Sequence, residues 1–313
     1  MNRITTLFGI KTKSCETISI GHINRTYLIT SDTDKKYILQ SLSRNVFRHP
    51  ETVMENISAV SCAFRNNEKL NVPNFLSCGD RLYADTDGEI WRMYSYTPSS
   101  ECENRLFRTA FSFGNFIKTM CGCTISEKQT IPNFHSYSAY LSKLHSFGYV
   151  HKDTEILTNL GETLSAVFND DIPKRIIHGD AKTDNIITGN PCTIIDLDTV
   201  MYGYTAIDYG DMVRSVCKNG FDNTAVSEIT KGFADGLCGI LTQSEINSLY
   251  YGILWVTGEL AVRYLTDAVS GERYFADKSP SQCLERADEL LENLRIFTEN
   301  KENIQKITQH FFN

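Results

Sequence analysis

No stretch of this sequence is long and apolar enough to be read as a membrane span. The most apolar region, residues 250–265, is interrupted by Glu259 and Arg263. A span needs about 18 apolar residues in a row. A secretory signal is not expected either: the apolar stretch at 7–10 is short, and no A-x-A-like site follows it. A cytoplasmic protein with no membrane partner is therefore expected. Positive charge is also in short supply. Lys and Arg number 31 against 38 Asp and Glu, a net charge of −7. Such a chain has little with which to neutralise a phosphate backbone, so nucleic acid is not an expected partner. Proline is scarce, 7 in 313 residues, and there is no internal repeat, low-complexity tract or long linker. That excludes collagen-like and coiled-coil architectures. The 41% hydrophobic and 22% charged content belongs to an ordinary globular chain. No C-x-x-C pair occurs. Of the ten cysteines only Cys121 and Cys123 are close, a spacing that does not suit zinc. Free thiols in a reducing compartment are expected.

What is present suggests about two domains for this length. Residues 25–30 and 36–41 are β-type runs separated by Ser31-Asp32-Thr33-Asp34, and they predict a hairpin. Pro50 opens a helix whose stripe is Val53, Ile57, Val60 and Phe64. Residues 81–84 and 89–96 predict two more strands, with Asp85-Thr86-Asp87-Gly88 as the turn. Near Thr97-Pro98-Ser99-Ser100 the composition turns small and polar, and the lobe boundary is placed there. Beyond it the periodicity predicts helices over 103–120, 137–147 and 154–168, a strand–loop–strand block over 175–200, and helices to the end. Thr242-Gln243-Ser244-Glu245 fits a capping box, with Ser270-Gly271 as the stop. The expected fold is α+β, with a β-rich lobe at residues 1–96 and a larger, mainly helical lobe at 97–313.

The chemistry is concentrated in IIHGDAKTDN, residues 176–185, and in the strand end Ile195-Asp196-Leu197-Asp198-Thr199. A carboxylate just after a strand can orient the proton of an attacking hydroxyl. An Asn five residues later can return its amide oxygen to a metal, and a second carboxylate can bind the same Mg²⁺. A nearby Lys can offset phosphoryl charge. Taken singly, H-G-D is more often a capped turn and I-D-L-D a solvated strand end. Together and in order behind a β-rich lobe, they follow the spacing logic of a kinase catalytic loop and its metal-binding Asp.

These residues resemble the aminoglycoside phosphotransferase family and its choline-kinase-like relatives. The run IDLDTVMYGYTAIDYGDMVRS at 195–215 is similar to the N-acetylhexosamine 1-kinase branch. GHINRTY at 21–27, YILQ at 37–40, IPNFH at 131–135 and LAVRYLTDAVSGERYF at 260–275 fit the same branch. The resemblance implies a two-lobed, protein-kinase-like fold. It implies a cofactor pair of ATP and Mg²⁺, and an N-acetylhexosamine phosphorylated at its anomeric hydroxyl.

By the resemblance Asp180 is the general base, Lys182 lies by the γ-phosphate, and Asn185 and Asp196 are the Mg²⁺ ligands. The nucleotide side is expected to involve Gly21, Asn24, Gln40, Met93 and Tyr94. Here the chain departs from the kinase pattern. Its loop at 21–26 has one glycine, and Gln40 stands where a phosphate-pairing Lys is usual. Lys35, Lys36 and Arg44 are the candidates to replace that charge. Glu55 lies away from the apolar stripe of its helix, so it is a weak candidate for the partner Glu. Residues 92–96 sit where an interlobe hinge would read adenine, although an ordinary edge strand fits equally.

The sugar is expected to meet His22, Thr199, Arg263 and Tyr274. Glu259, Arg263 and Asp267 share a helix face, as either an ion-pair network or a pocket wall. Asp208 and Asp211 are expected to fix the loop. Competing readings keep the fold but take an aminoglycoside, choline or homoserine-like alcohol, or make the chain a pseudokinase on the strength of Gln40. The oligomeric state is not legible.

Overall fold

The computed structural model describes residues 1–18, 23–149, 153–218, 220–271, 274–275 and 277–312. The chain forms two compact units. The first comprises Met1–Cys102, Gly122–Pro132 and Ile186–Met201; the second comprises Glu103–Cys121, Asn133–Asn185 and Tyr202–Asn313.

In the first unit a five-stranded antiparallel sheet runs, edge to edge, Thr12–Ile18, Arg25–Ser31, Lys36–Ser41, Glu89–Ser95 and Ala84–Thr86. The hairpin of the second and third strands turns at the predicted polar residues, with Asp34 at φ 60°. The last pair differs from expectation. The turn is only Asp87-Gly88, at φ 55° and 78°. A two-residue turn with both φ positive matches strand twist, so Asp85 and Thr86 pair with Ile90 and Glu89 instead of lying in the loop. One face of the sheet buries Phe8, Ile29, Leu39, Ala84, Trp91 and Met93. Burying each large side chain contributes roughly 1.5–3 kcal/mol.

Helix Pro50–Ala63 buries Val53, Ile57 and Val60, and Phe64 just after it. It also buries a polar residue, Asn56. Its Nδ2 donates to the Val200 carbonyl at 3.1 Å, and its Oδ1 accepts the Ser126 N–H at 3.0 Å. Strand Cys192–Ile194 pairs antiparallel with Ile186–Ile187 and parallel with Leu70–Asn71. The strand end that carries Asp196 therefore belongs to the first unit's own sheet structure.

The second unit is built on helix Gln243–Ser270. Its capping box closes as predicted, with Thr242 Oγ1 accepting the Glu245 N–H and Gly271 ending the helix at φ 68°. Residues 249–250, 252–259 and 261–262 are all buried, because helices Tyr137–Ser146, Thr154–Val167, Thr205–Val216, Pro280–Glu299 and Lys301–Phe312 pack around it. A helix apolar on nearly every side is a core helix when other helices cover it. Among the described residues no helix is long and apolar enough to cross a membrane.

Candidate active site

Strand Arg175–Ile177 buries Ile176 and Ile177 and then stops. Gly179 takes φ 79°, which reverses the chain into the short turn bearing Asp180. Asp208, on helix Thr205–Val216, holds this reversal. Its Oδ2 accepts the His178 N–H and its Oδ1 the Gly179 N–H, both at 2.8 Å. The loop-fixing role expected of Asp208 is thus visible. The His178 ring is buried edge-on to Phe113 and Phe116, at 5.3 and 5.9 Å. Asp211 pairs with Arg214, whose Nε lies 2.9 Å from Oδ1.

Asp180, Lys182 and Asn185 come together. Lys182 Nζ lies 2.7 Å from Asp180 Oδ2. Asn185, at the end of the 3-10 turn Thr183–Asn185, donates from Nδ2 to the Asp180 carbonyl at 2.7 Å and to its Oδ2 at 2.9 Å. Burial pushes the Asp180 carboxyl up, but the Lys182 ammonium, the His178 ring and the Asn185 amide hold it below the usual carboxylate range. It is an ionised group whose Oδ1 accepts none of these bonds. The Asn185 amide oxygen is likewise outside them.

Behind the turn stands a pair to which sequence reasoning gave no role in catalysis. His135 Nε2 lies 2.7 Å from the Gly179 carbonyl oxygen. Its Nδ1 lies 3.3 Å from Glu259. Glu259 in turn accepts Trp255 Nε1–H at 3.0 Å. Of the face shared by Glu259, Arg263 and Asp267, the first is therefore part of a buried network. Arg263 is different: its guanidinium lies 4.4 Å from the Tyr274 ring centroid and 5.4–5.8 Å from those of Phe134, Tyr140 and Phe275. Asp267 Oδ2 accepts the Phe275 N–H at 2.7 Å. Arg263 and Tyr274 are thus brought together, with Tyr274 42% exposed.

In the first unit Asp196 adopts φ 63° at the strand end and opens the 3-10 turn Leu197–Thr199, where Thr199 is buried. Asp198 is 3% exposed and receives a two-pronged ion pair from Arg92, one arm at 3.1 Å. Asn24 Nδ2 donates to the same carboxylate at 2.7 Å, while Asn24 Oδ1 accepts the Ser43 N–H at 3.1 Å. Gln40 lies directly across the strand pair from Arg92, and cross-strand neighbours share a face. Gln40 Oε1 accepts Arg92 Nε and Nη2 at 2.9 and 2.7 Å, and its Nε2 donates to Thr26. The cation beside the Gln40 position is therefore Arg92. Arg44 instead donates to the Gly88 carbonyl and pairs with Glu51 at the surface, and Lys36 lies 6.0 Å over the Tyr96 ring. A clue to Arg92 was available: it is the one charged residue inside the strand run Ile90–Tyr94.

Met93 is fully buried, and its carbonyl accepts the Leu76 N–H at 2.8 Å. The Tyr94 ring lies 5.1 Å from Phe75, and burial pushes its hydroxyl up to about 12. The Ser95 and Tyr96 N–H groups are bonded to Asn74 and Lys36 carbonyls. Glu55 is exposed, and the buried polar residues of its helix are Thr52 and Asn56. Gly21 and His22 lie outside the described residues.

A family model described as phosphotransferase enzyme family matches residues 14–238. Among solved structures, an aminoglycoside phosphotransferase from Alicyclobacillus acidocaldarius superposes with a TM-score of 0.64 at 12% identity, covering 99% of this chain and 96% of that one. A choline/ethanolamine kinase family protein from Mesorhizobium loti gives 0.66 at 14% identity, over 96% and 93%. A spectinomycin phosphotransferase, solved with ADP and spectinomycin, gives 0.61 at 15% identity, over 99% and 97%. At these identities the likeness is one of fold: a β-sheet N-terminal region followed by a helical C-terminal region.

Proposed function

This chain belongs to the phosphotransferase enzyme family, and within it we propose a kinase that uses ATP and Mg²⁺ to phosphorylate the anomeric hydroxyl of an N-acetylhexosamine, giving the 1-phosphate. The observation that carries the phosphotransfer part is the state of Asp180. It is ionised, its Oδ2 is held by Lys182 and Asn185, and its Oδ1 is left to an acceptor hydroxyl. A carboxylate so fixed can orient the hydroxyl and take its proton as the bond to phosphorus forms. Lys182 offsets the negative charge of the phosphoryl group beside it.

Asn185 and Asp196 are the proposed metal ligands. Both offer oxygen, the donor a hard Mg²⁺ ion takes, and Asn185 spends its amide nitrogen on Asp180 so that its oxygen stays an acceptor. When bound, the ion would supply charge neutralisation for the ATP phosphates. The proposed nucleotide side comprises Gly21, Asn24, Gln40, Met93 and Tyr94, and the proposed sugar contacts are His22, Thr199, Arg263 and Tyr274.

Arg263 supports a neutral acceptor. A choline or aminoglycoside cation would seek free aromatic faces or carboxylates. Here Phe134, Tyr140, Tyr274 and Phe275 already surround a guanidinium. The test is a panel of sugars, amino alcohols and aminoglycosides incubated with MgATP, with phosphorus NMR of the products. An anomeric phosphate on an N-acetylhexosamine is the expected outcome. A sugar 6-phosphate rejects the regiochemistry, and a phosphorylated amino alcohol or aminoglycoside transfers the chain to the cationic-acceptor class.

A further inference from the structure

His135 presents both ring nitrogens to groups that can only accept. Nε2 faces a main-chain carbonyl at 2.7 Å. Nδ1 faces a carboxylate at 3.3 Å, with the His135 side chain 9% exposed and that of Glu259 3% exposed. A neutral imidazole has one N–H and could serve one of them. The other nitrogen would then set its lone pair against an oxygen, unless Glu259 carried the proton. Glu259 is disposed to stay ionised. It accepts the Trp255 indole N–H, and Arg263 on the same helix adds positive charge nearby. The backbone at His135 is itself in the left-handed region, φ 54°, as is that of Asn133 at 58°. Strain of this kind persists where surrounding contacts over-determine a geometry.

Among the described residues, the charged and titratable groups linked to the ring or to its two bonded partners come from four elements. Glu259 and Arg263 belong to helix Gln243–Ser270. Asp211, paired with Arg214, and Asp208 belong to helix Thr205–Val216. Tyr137 and Tyr140 belong to the helix that follows His135. Asp180, tied to Lys182, lies one residue beyond the bonded carbonyl. Burial drives the His135 pKa down, but the Glu259 charge and hydrogen bond, the Gly179 carbonyl and Asp211 outweigh it, so the net direction is up.

We propose that His135 is a positioning residue held as an imidazolium, which donates to Glu259 and to the Gly179 carbonyl at once and so fixes the peptide that carries Asp180. Two devices then clamp one turn. Asp208 holds the N–H groups of His178 and Gly179 from one side, and His135 holds the Gly179 carbonyl from the other. The neutral ring keeps at most one of its two bonds. The positioning half of the proposal rests on Asp180 being the group that receives the acceptor's proton; the protonation state does not.

Because the folded pKa lies above the ordinary value, the charged ring prevails below it. Turnover should fall as pH rises through it. Removing the Glu259 charge should bring that fall to lower pH. The test uses the full chain with ¹⁵N-labelled histidine rings, titrated by NMR as wild type and as Glu259→Gln. Beside this stand pH profiles of kcat and KM for both, and for His135→Gln. Two protonated ring nitrogens in the wild type at neutral pH are expected, with Glu259→Gln losing one of them there. The kcat midpoint should track the ring midpoint. His135→Gln should lose roughly 10²-fold in kcat, the scale of a misplaced catalytic group, with KM for ATP changed less than about twofold. A singly protonated wild-type ring at neutral pH overturns the proposal, and the titration reads this without turnover or a folded variant. A kcat for His135→Gln within about twofold of wild type overturns the positioning role. If no alcohol in the panel is phosphorylated, the proposed function falls, while the ring titration still decides whether the imidazolium exists.

Discussion

Asp180 and Arg92 are both charged residues kept charged by neighbours, but the neighbours do different work. At Asp180 the partners leave one oxygen free to act, so Asp180→Asn should remove function without removing structure. The amide keeps the size of the side chain but cannot take a proton. We expect kcat to drop by roughly 10²–10⁴-fold, the usual contribution of a general base. The far-UV circular dichroism and ATP affinity should stay near wild type; a rate close to wild type would refute the assignment. At Arg92 the partners, Asp198 and Gln40, take four of the five guanidinium N–H groups. Removing one member of a buried ion pair costs about 3–5 kcal/mol, because the other charge is stranded. Arg92→Met should therefore lose about that much in urea unfolding. Arg92→Met with Asp198→Asn should recover part of the loss, and a double-mutant cycle reads the coupling. The first constellation was legible in the sequence because Asp180, Lys182 and Asn185 lie within one turn. The second was not, since Arg92 and Asp198 are 106 residues apart. His135 and Glu259 are 124 apart. Gln40 could be seen as a missing charge, but the cation that bonds it stands on the neighbouring strand, opposite it in register.

Among the elements, helices were the most readable and short strands the least. Helix Gln243–Ser270 could be bounded at both ends because its cap and its stop are written in local residues. Strand Thr12–Ile18 was not anticipated: its central five residues are all exposed, so no apolar alternation marks it. The pair Leu70–Asn71 with Cys192–Thr193 is a two-residue parallel pairing across a long separation, too short to show a pattern. Close helix approach is also invisible to periodicity. A Cβ on Gly252 would lie 1.9 Å from the Ala206 carbonyl oxygen, and one on Gly210 would lie 2.3 Å from the Gly252 carbonyl oxygen. Two helices touch backbone to backbone there, and neither obstacle is a side-chain end that can swing away. Gly252→Ala must push helix Thr205–Val216 outward, and that helix carries Asp208. Overpacking of this sort costs about 1–3 kcal/mol. The expected outcome is a lowered thermal midpoint together with a fall in kcat, as the Asp208 bonds to His178 and Gly179 lengthen. Lowered stability with unchanged kcat would show that the turn does not depend on helix placement.

At the scale of the molecule, the chain does not build its units one after the other. The first unit draws on residues 1–102, 122–132 and 186–201, with segments of the second between them. The later pieces complete its interior. Asp198 neutralises Arg92, Val200 and Ser126 satisfy Asn56, Cys192–Ile194 pairs with Leu70–Asn71, and Thr188 exchanges two hydrogen bonds with Ser100 at 2.8 and 2.9 Å. A fragment ending at residue 102 would contain the whole five-stranded sheet yet lack every one of these partners. Its Arg92 would be a buried cation with only Gln40 beside it, and its Asn56 a buried amide with neither bond. Each unsatisfied polar group costs about 1–3 kcal/mol, and more when charged, against a total stability of only about 5–15 kcal/mol for a typical folded protein. The fragment 1–102 is therefore expected to be unfolded or molten, with a poorly dispersed amide NMR spectrum and rapid proteolysis. A dispersed, protease-resistant fragment would mean that the sheet alone is sufficient and that the later segments merely dock on it. The same reasoning limits every truncation from the C-terminal end: a chain that stops anywhere before residue 201 loses part of the first unit's core as well as the last helices of the second.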